Sequence, residues 1–195
     1  MVREPFLVGV RHPEPVCLRP HTVLDGNDQS GRCLAYQVTN AETLDPMERL
    51  LAERACERQV VEFVHRLDLG NPSSVADLFT RDGTWEWPAG DRRIAGHDAL
   101  RIYFGDRPAD RLSRRICTNI LVTVTSADTA SAITYFTAHR VDGYSEGLVP
   151  PRLPVQVGHY EDAFRKVDDT WLLTTRTLFL SFAGPTERLD GPGQS

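Results

Sequence analysis

The sequence predicts an α+β fold: three helices, then an antiparallel sheet. Two observations lead there. Apolar residues recur at spacings of three and four early in the regular part of the chain, and long β-branched stretches separated by short turns fill the second half. Helices first and strands after is the order of an α+β domain, not the strand–helix alternation of a parallel sheet.

The elements follow in order. Residues 1–45, with Pro5, Pro13, Pro15, Pro20 and the polar run Gly26–Gly31, show no sustained period. They read as an extended arm with short strands near 6–10 and 33–38, or as sequence upstream of a start at Met47. Asp45-Pro46-Met47-Glu48 is a helix start: a capping acceptor, a proline at the first helical position and a glutamate after it. Met47, Leu50, Leu51, Ala55, Val60, Val61, Val64 and Leu67 then mark one face of a long helix. Gly70 stops it. Asn71 and Pro72 open a second, short helix with Val75, Leu78 and Phe79 as its apolar face. A short strand, Gly83–Trp87, ends at Pro88; residues 89–93 make a turn, and a third helix runs from Gly96 to Phe104. Four strands follow: 116–124, 131–141, 155–167 and 171–182, with turns at Ser126–Thr129 and Asp168-Asp169. The stretch from Gly184 to Ser195 is rich in glycine and proline and reads as a frayed tail.

The totals narrow the function classes. The 195 residues suit one domain plus a tail, and 41% hydrophobic with 25% charged residues is enough for a core. A net charge of −5 opposes binding to nucleic acid or anionic membranes. No apolar run approaches the roughly 20 residues that span a bilayer. The first ten residues lack the apolar stretch of a signal peptide, so a cytoplasmic location is expected. Cys17, Cys33, Cys56 and Cys117 are widely spaced and read as free thiols rather than zinc ligands. The phosphate-loop, dinucleotide, zinc-protease and nucleophile-elbow motifs are missing, so no cofactor is implied.

Several stretches, in order, carry a family resemblance: Leu67–Asn71, Leu78–Trp85, Ile94–Leu100, Arg114–Ile120, Gly158–Asp162 and Asp169–Leu173. Together they resemble the SnoaL-like members of the nuclear transport factor 2-like superfamily, over about residues 46–183. The resemblance implies a cone-shaped curved sheet that encloses a small-molecule pocket with the helices. It also implies several possible roles, because the superfamily includes scytalone dehydratase, polyketide cyclases, ketosteroid isomerases and the largely structural β subunits of ring-hydroxylating dioxygenases. Homo-oligomers, dimers or trimers built through the open sheet face, are common among such proteins.

The resemblance puts Asp68 at the end of the first helix, where dehydratase-like members hold a pocket aspartate. A carboxylate among apolar residues can act as an acid or base. Asp68 could equally cap the loop before Asn71 or face solvent. Leu67 stands where those enzymes place a tyrosine, Arg115 where they place a catalytic histidine, and Phe136 about where they place a second. Arginine stays protonated, so Arg115 would bind an oxyanion or pair with Asp68, or form an ion pair at a strand end.

Other candidates come from strand alternation. Trp85 and Trp87 share one face of their strand and Glu86 the other; facing inward, the tryptophans would wall an apolar pocket, whereas an inward Glu86 would be an acid–base candidate like Asp68. Tyr103 is expected at the pocket or core. Phe136 would share an inward face with Thr134 and Ala138, leaving Tyr135 and His139 outside. Only one of His159 and Tyr160 can face the cone. His65 lies one turn before Asp68 and could pair with it or with solvent. Asp68 and Arg115 are thus the expected catalytic pair. Trp85, Glu86, Trp87, Tyr103, Phe136, His159 and Tyr160 are the expected substrate contacts. Two readings follow. One is a cofactor-independent lyase, isomerase or cyclase acting on a hydrophobic cyclic molecule. The other is a binding or assembly module without catalysis, which the histidines missing at 115 and 136 favour.

Overall fold

The computed structural model describes residues 44–189, so most of the arm expected over 1–45 lies outside the described residues. Helix α1 spans Pro46–Asp68, and the Asp45 carboxylate caps it, accepting from the Met47 and Glu48 N–H groups at 3.0 and 3.4 Å. Its buried stripe is Ala52, Cys56, Val60, Phe63, Val64 and Leu67. This corrects the expected face: Met47, Leu50, Leu51 and Val61 are exposed. Two apolar sets at helical spacing interleave here. The set containing Phe63 wins because that ring packs edge-on against Phe104 and Phe79.

The second helix is a 3-10 segment, Pro72–Leu78, capped by Asn71, whose side-chain oxygen accepts from the Ser73 N–H at 3.1 Å. Phe79 belongs not to that helix but to strand β1, Phe79–Trp87, which begins four residues earlier than expected. After a turn at Pro88–Gly90, residues read as a turn instead form strand β2, Arg92–Ala95, antiparallel to β1 with Trp85 opposite Ile94. Helix α2, His97–Gly105, buries Leu100 and Phe104.

The meander is β3 (Leu112–Val124), β4 (Thr129–Asp142), β5 (Gln156–Val167) and β6 (Thr170–Ala183). Its neighbouring strands pair antiparallel, as expected. The whole sheet, in the order β2-β1-β6-β5-β4-β3, is mixed rather than antiparallel, because β1 lies parallel to β6. A strand β7, Glu187–Arg188, adds in parallel to Val141 and Asp142 of β4. Of the stretch expected to fray from Gly184 to Ser195, the described part is thus paired there, and 190–195 lie outside the described residues. Arg188 reaches Asp110 at 2.7 Å and Glu187 accepts from Arg152 at 2.6 Å.

Register shifts within β1, β3 and the β5–β6 ladder bend the sheet. In β3 the shift between Thr118 and Leu121 is made with Asn119 at φ 50°, a left-handed conformation that asparagine tolerates. The result is a strongly curled half-barrel. Its inner face is read directly from alternation: Ala130, Ala132, Thr134, Phe136 and Ala138 of β4, with Tyr160, Asp162 and Phe164 of β5, are buried against α1. No described helix is long and apolar enough to cross a membrane.

Candidate active site

The mouth of the half-barrel holds a cavity of about 320 Å³, within the range of small-molecule sites. One wall is apolar and aromatic: Phe63 and Leu67 from α1, Trp85 from β1, Phe104 from α2 and Leu178 from β6. Tyr103 and Tyr160 add hydroxyl-bearing rings, and Tyr103 packs against Trp85 with centroids 5.0 Å apart. The other wall is basic: Arg92, Arg107, Arg111, Arg115 and Arg140, with Asp106 as its one acidic member among the described residues.

Asp68 and Arg115 are brought together where α1 ends against β3. Arg115 Nη1 donates to Asp68 Oδ1, and the Arg115 backbone N–H donates to Asp68 Oδ2 at 2.6 Å. Ser113 Oγ donates to Asp68 Oδ1 at 2.6 Å. Both charged side chains are nearly out of solvent, 5% exposed for Asp68 and 9% for Arg115. Arg115 lines the cavity; Asp68 stands behind it. Three donors converge on this one carboxylate, which holds the Arg115 guanidinium in place. Arg115 remains a fixed positive charge at the wall, suited to an oxyanion and unable to shuttle a proton.

Arg107 extends this cluster, donating to the Leu67 carbonyl at 3.2 Å and to Ser113 Oγ at 3.1 Å. Burial, then repulsion from Arg115, Arg111 and Arg140, pushes its pKa down to about 10 against an opposing pull from Asp68. The Arg140 pKa is likewise lowered, by burial and by repulsion from Arg111 and Arg115. Arg111 differs. Its two-pronged hydrogen bonds to Asp142, at 2.7 and 2.9 Å, raise its pKa and hold the Asp142 carboxyl below its usual range.

A second charged layer lies beneath the aromatic wall. Arg176 and Asp162 are both wholly buried and share two 2.7 Å hydrogen bonds. The guanidinium sits 4.1 Å from the Phe63 ring centre and 4.6 Å from that of Tyr160. Phe136 closes the stack, 4.5 Å from Tyr160. Burial raises the Tyr160 phenol above its ordinary pKa.

The other expected contacts sort by strand face. Trp85, Tyr103 and Tyr160 line the cavity, whereas Phe136 packs in the core behind Tyr160. Trp87 packs against the core away from the cavity, its indole N–H without a partner among the described residues. Glu86 turns to the other face and accepts from Arg93 at 3.0 Å. His159 lies on the outer face of β5, stacked on Phe179 and 3.5 Å from Glu161. His65 is exposed and makes no hydrogen bond to Asp68. His139 bonds through Nδ1 to the Arg152 carbonyl. Arg107 and Arg140 were not anticipated. For Arg140 a signal existed, since it continues the inward alternation Thr134, Phe136, Ala138; for Arg107, in the connection before Pro108, there was none. Among the described residues no three His, Cys, Asp or Glu side chains converge as a metal site would require.

Solved structures of the same shape are numerous. A protein of unknown function from Mycobacterium tuberculosis superposes with a TM-score of 0.59 at 21% identity, covering 70% of this chain and 76% of that one. A candidate scytalone dehydratase from Novosphingobium aromaticivorans gives 0.58 at 22% identity, covering 76% and 98%. The hexachlorocyclohexane dehydrochlorinase LinA-type3 from Novosphingobium barchaimii gives 0.57 at 14% identity, covering 72% and 94%. At these identities the likeness is one of fold. No curated protein sequence matches the chain. The model of the SnoaL-like domain matches residues 48–177, about two thirds of the sequence, and the chain belongs to the SnoaL-like family.

Proposed function

We propose that the chain is a cofactor-independent enzyme of the lyase, isomerase or cyclase type that moves a proton on a cyclic small molecule held in the cone. The observation that carries this reading is the Asp68–Arg115 pair, with Arg115 in the basic wall of a cavity whose other wall is aromatic and Asp68 directly behind it. A substrate ring lies against Trp85, Tyr103 and Tyr160, and charge developing on its oxygen is met by Arg115. As the guanidinium turns to that oxygen, Asp68 Oδ1 loses a donor and becomes the proton acceptor. General acid–base catalysis of this kind contributes about a hundred- to ten-thousandfold, so one carboxylate and one cation suffice. Two structural neighbours bear the names of elimination catalysts, a dehydratase and a dehydrochlorinase, which supports the reaction type.

The test needs no known product. Cyclic ketones and phenols are incubated with the protein in D2O, and deuterium uptake beside the carbonyl or hydroxyl is followed by NMR. Wild type is expected to catalyse exchange on at least one of them, Asp68→Asn to bind that compound without exchange, and Arg115→Gln to lose most of the rate. One observation favours a second reading, a binding module: the Asp68 carboxylate already accepts three hydrogen bonds and stands behind the cavity wall. Binding without exchange by wild type across the panel would establish that reading instead.

We further infer that a second copy of the chain covers the outer face of the sheet. Ile116, Ile133, Tyr135 and Phe182 are 54%, 43%, 53% and 71% exposed there, a patch that isolated domains seldom leave open.

A further inference from the structure

The basic wall of the cavity contains more positive charge than its own carboxylates answer. Of the four arginines nearest the Asp68 cluster, Arg115 is matched by Asp68 and Arg111 by Asp142. Arg107 and Arg140 have no carboxylate within 4.0 Å among the described residues. Their partners are neutral: the Leu67 carbonyl and Ser113 Oγ for Arg107, and Thr186 Oγ1, at 2.7 Å from Nε, for Arg140. The Nη atoms of Arg140 make no hydrogen bond to a described residue, although the side chain lines the cavity. Half-buried guanidinium groups gathered on one wall of a cavity without carboxylate partners are costly. Burial, then repulsion from neighbouring arginines, lowers the pKa of both: Arg115, Arg111 and Arg140 act on Arg107, and Arg111 and Arg115 on Arg140. Asp106 does not answer this charge, since it is exposed and makes no ion pair with either arginine.

We propose that the ligand of this cavity is a ring-bearing carboxylate, its carboxylate held by Arg107 and Arg140 and its ring by Trp85, Tyr103 and Tyr160. The planar guanidinium fork fits a carboxylate in two-pronged fashion, and the aromatic wall opposite sets the ring's distance from the charge. The inference rests on the cone being the ligand site, and it names the substrate class that site would take.

The test uses 2-naphthoate and its neutral isostere 2-naphthamide as probes, titrated into the full-length protein by isothermal calorimetry and by quenching of tryptophan fluorescence. Naphthoate is expected to bind about ten- to a hundredfold more tightly than the amide, the difference one charge-assisted interaction makes. Arg140→Gln and Arg107→Gln are each expected to remove about tenfold or more of the naphthoate affinity while leaving amide affinity within about twofold, and Arg140→Lys to restore part of the loss. Equal affinity for both probes overturns the proposal, as does naphthoate affinity unchanged in Arg140→Gln, or no binding of naphthoate at millimolar concentration. The wild-type comparison of the two probes stands even where a variant fails to fold. Failure here is separable from failure of the proton-transfer reading. Exchange on neutral ketones with no preference for naphthoate sinks only the carboxylate proposal, and tight naphthoate binding with no exchange on any compound sinks only the enzyme.

Discussion

Removing the carboxylate of Asp162 strands a guanidinium that has no route to water. The side chains of Asp162 and Arg176 are both 0% exposed, joined by two 2.7 Å hydrogen bonds, and Arg176 Nη1 has no partner among the described residues even with the pair intact. Breaking a buried pair from one side costs about 3–5 kcal/mol, most of it the uncompensated charge left behind. Asp162→Asn keeps the side-chain volume and one acceptor, so its loss isolates that charge, and it is expected within that range. Replacing both partners, Asp162→Leu with Arg176→Met, removes both desolvation costs together. It also gives up the stacking of Arg176 on Phe63 and Tyr160, worth about 1–2 kcal/mol. The double variant is therefore expected within about 2 kcal/mol of wild type, more stable than Asp162→Asn. The assay is urea unfolding followed by far-UV circular dichroism. Arg58→Gln serves as control at an exposed helical pair with Glu62, 3.1 Å apart, where about 0.3–0.5 kcal/mol is expected. An Asp162→Asn loss under about 1 kcal/mol, or a double variant no better than the single, would refute the view that desolvated charge dominates beneath the aromatic wall.

Two more predictions follow from burial. Burial, then the nearby Asp162 charge, pushes the Cys56 thiol up to about 12, so iodoacetamide at about pH 8.5 should leave it unlabelled in the native chain and label it after unfolding, as peptide mass mapping will read. The folded thiol keeps its proton where the unfolded one, near 9, loses it, so stability should fall as pH rises from 9 towards 12. On the outer face, Tyr135→Glu should convert an oligomer to monomer by light scattering after gel filtration, without loss of helix or sheet signal; a wild-type monomer at high micromolar concentration would refute the covering copy.

What could be read in advance divides along the range of the interactions. The α1 cap at Asp45 and the inward alternation of β4 depend on neighbours a few residues away, and both are present as read. The choice between His159 and Tyr160 was narrowed to one, and the burial of Tyr160 against Phe136 decides it. Long-range pairing was not legible. The parallel run of β1 beside β6 brings Trp85 opposite Arg176, 91 residues apart in sequence, and local periodicity contains nothing of that. The same holds for the face of α1, where two apolar stripes compete and only the sheet selects the one with Cys56 and Phe63. Among the site residues, Asp68 and Arg115 were named and do meet. Arg107 escaped because its position in the cavity depends on how the α2–β3 connection folds back over α1.

The arginine at 115 changes what the site has to do. Where a histidine could accept and return a proton, a guanidinium can only hold charge, so on the proposed reading proton transfer falls to a carboxylate that the resting structure keeps occupied. The hydrogen-bond chain shows how a ligand would release it. Arg107 donates to Ser113 Oγ, Ser113 Oγ donates to Asp68 Oδ1, and Arg115 donates to the same oxygen. On the proposed reading, a carboxylate that draws Arg107 toward the cavity removes one donor from Ser113. An oxyanion that draws Arg115 removes one from Asp68 itself. Both movements loosen the hydrogen bonds that occupy Asp68, and only when ligand is present. Substrate binding and activation of the base are then one event, which makes the positive wall part of the chemistry rather than an anchor beside it. The measurable consequence is that Arg107→Gln should lower the exchange rate at saturating ligand as well as the affinity. A pure anchoring role would move affinity alone.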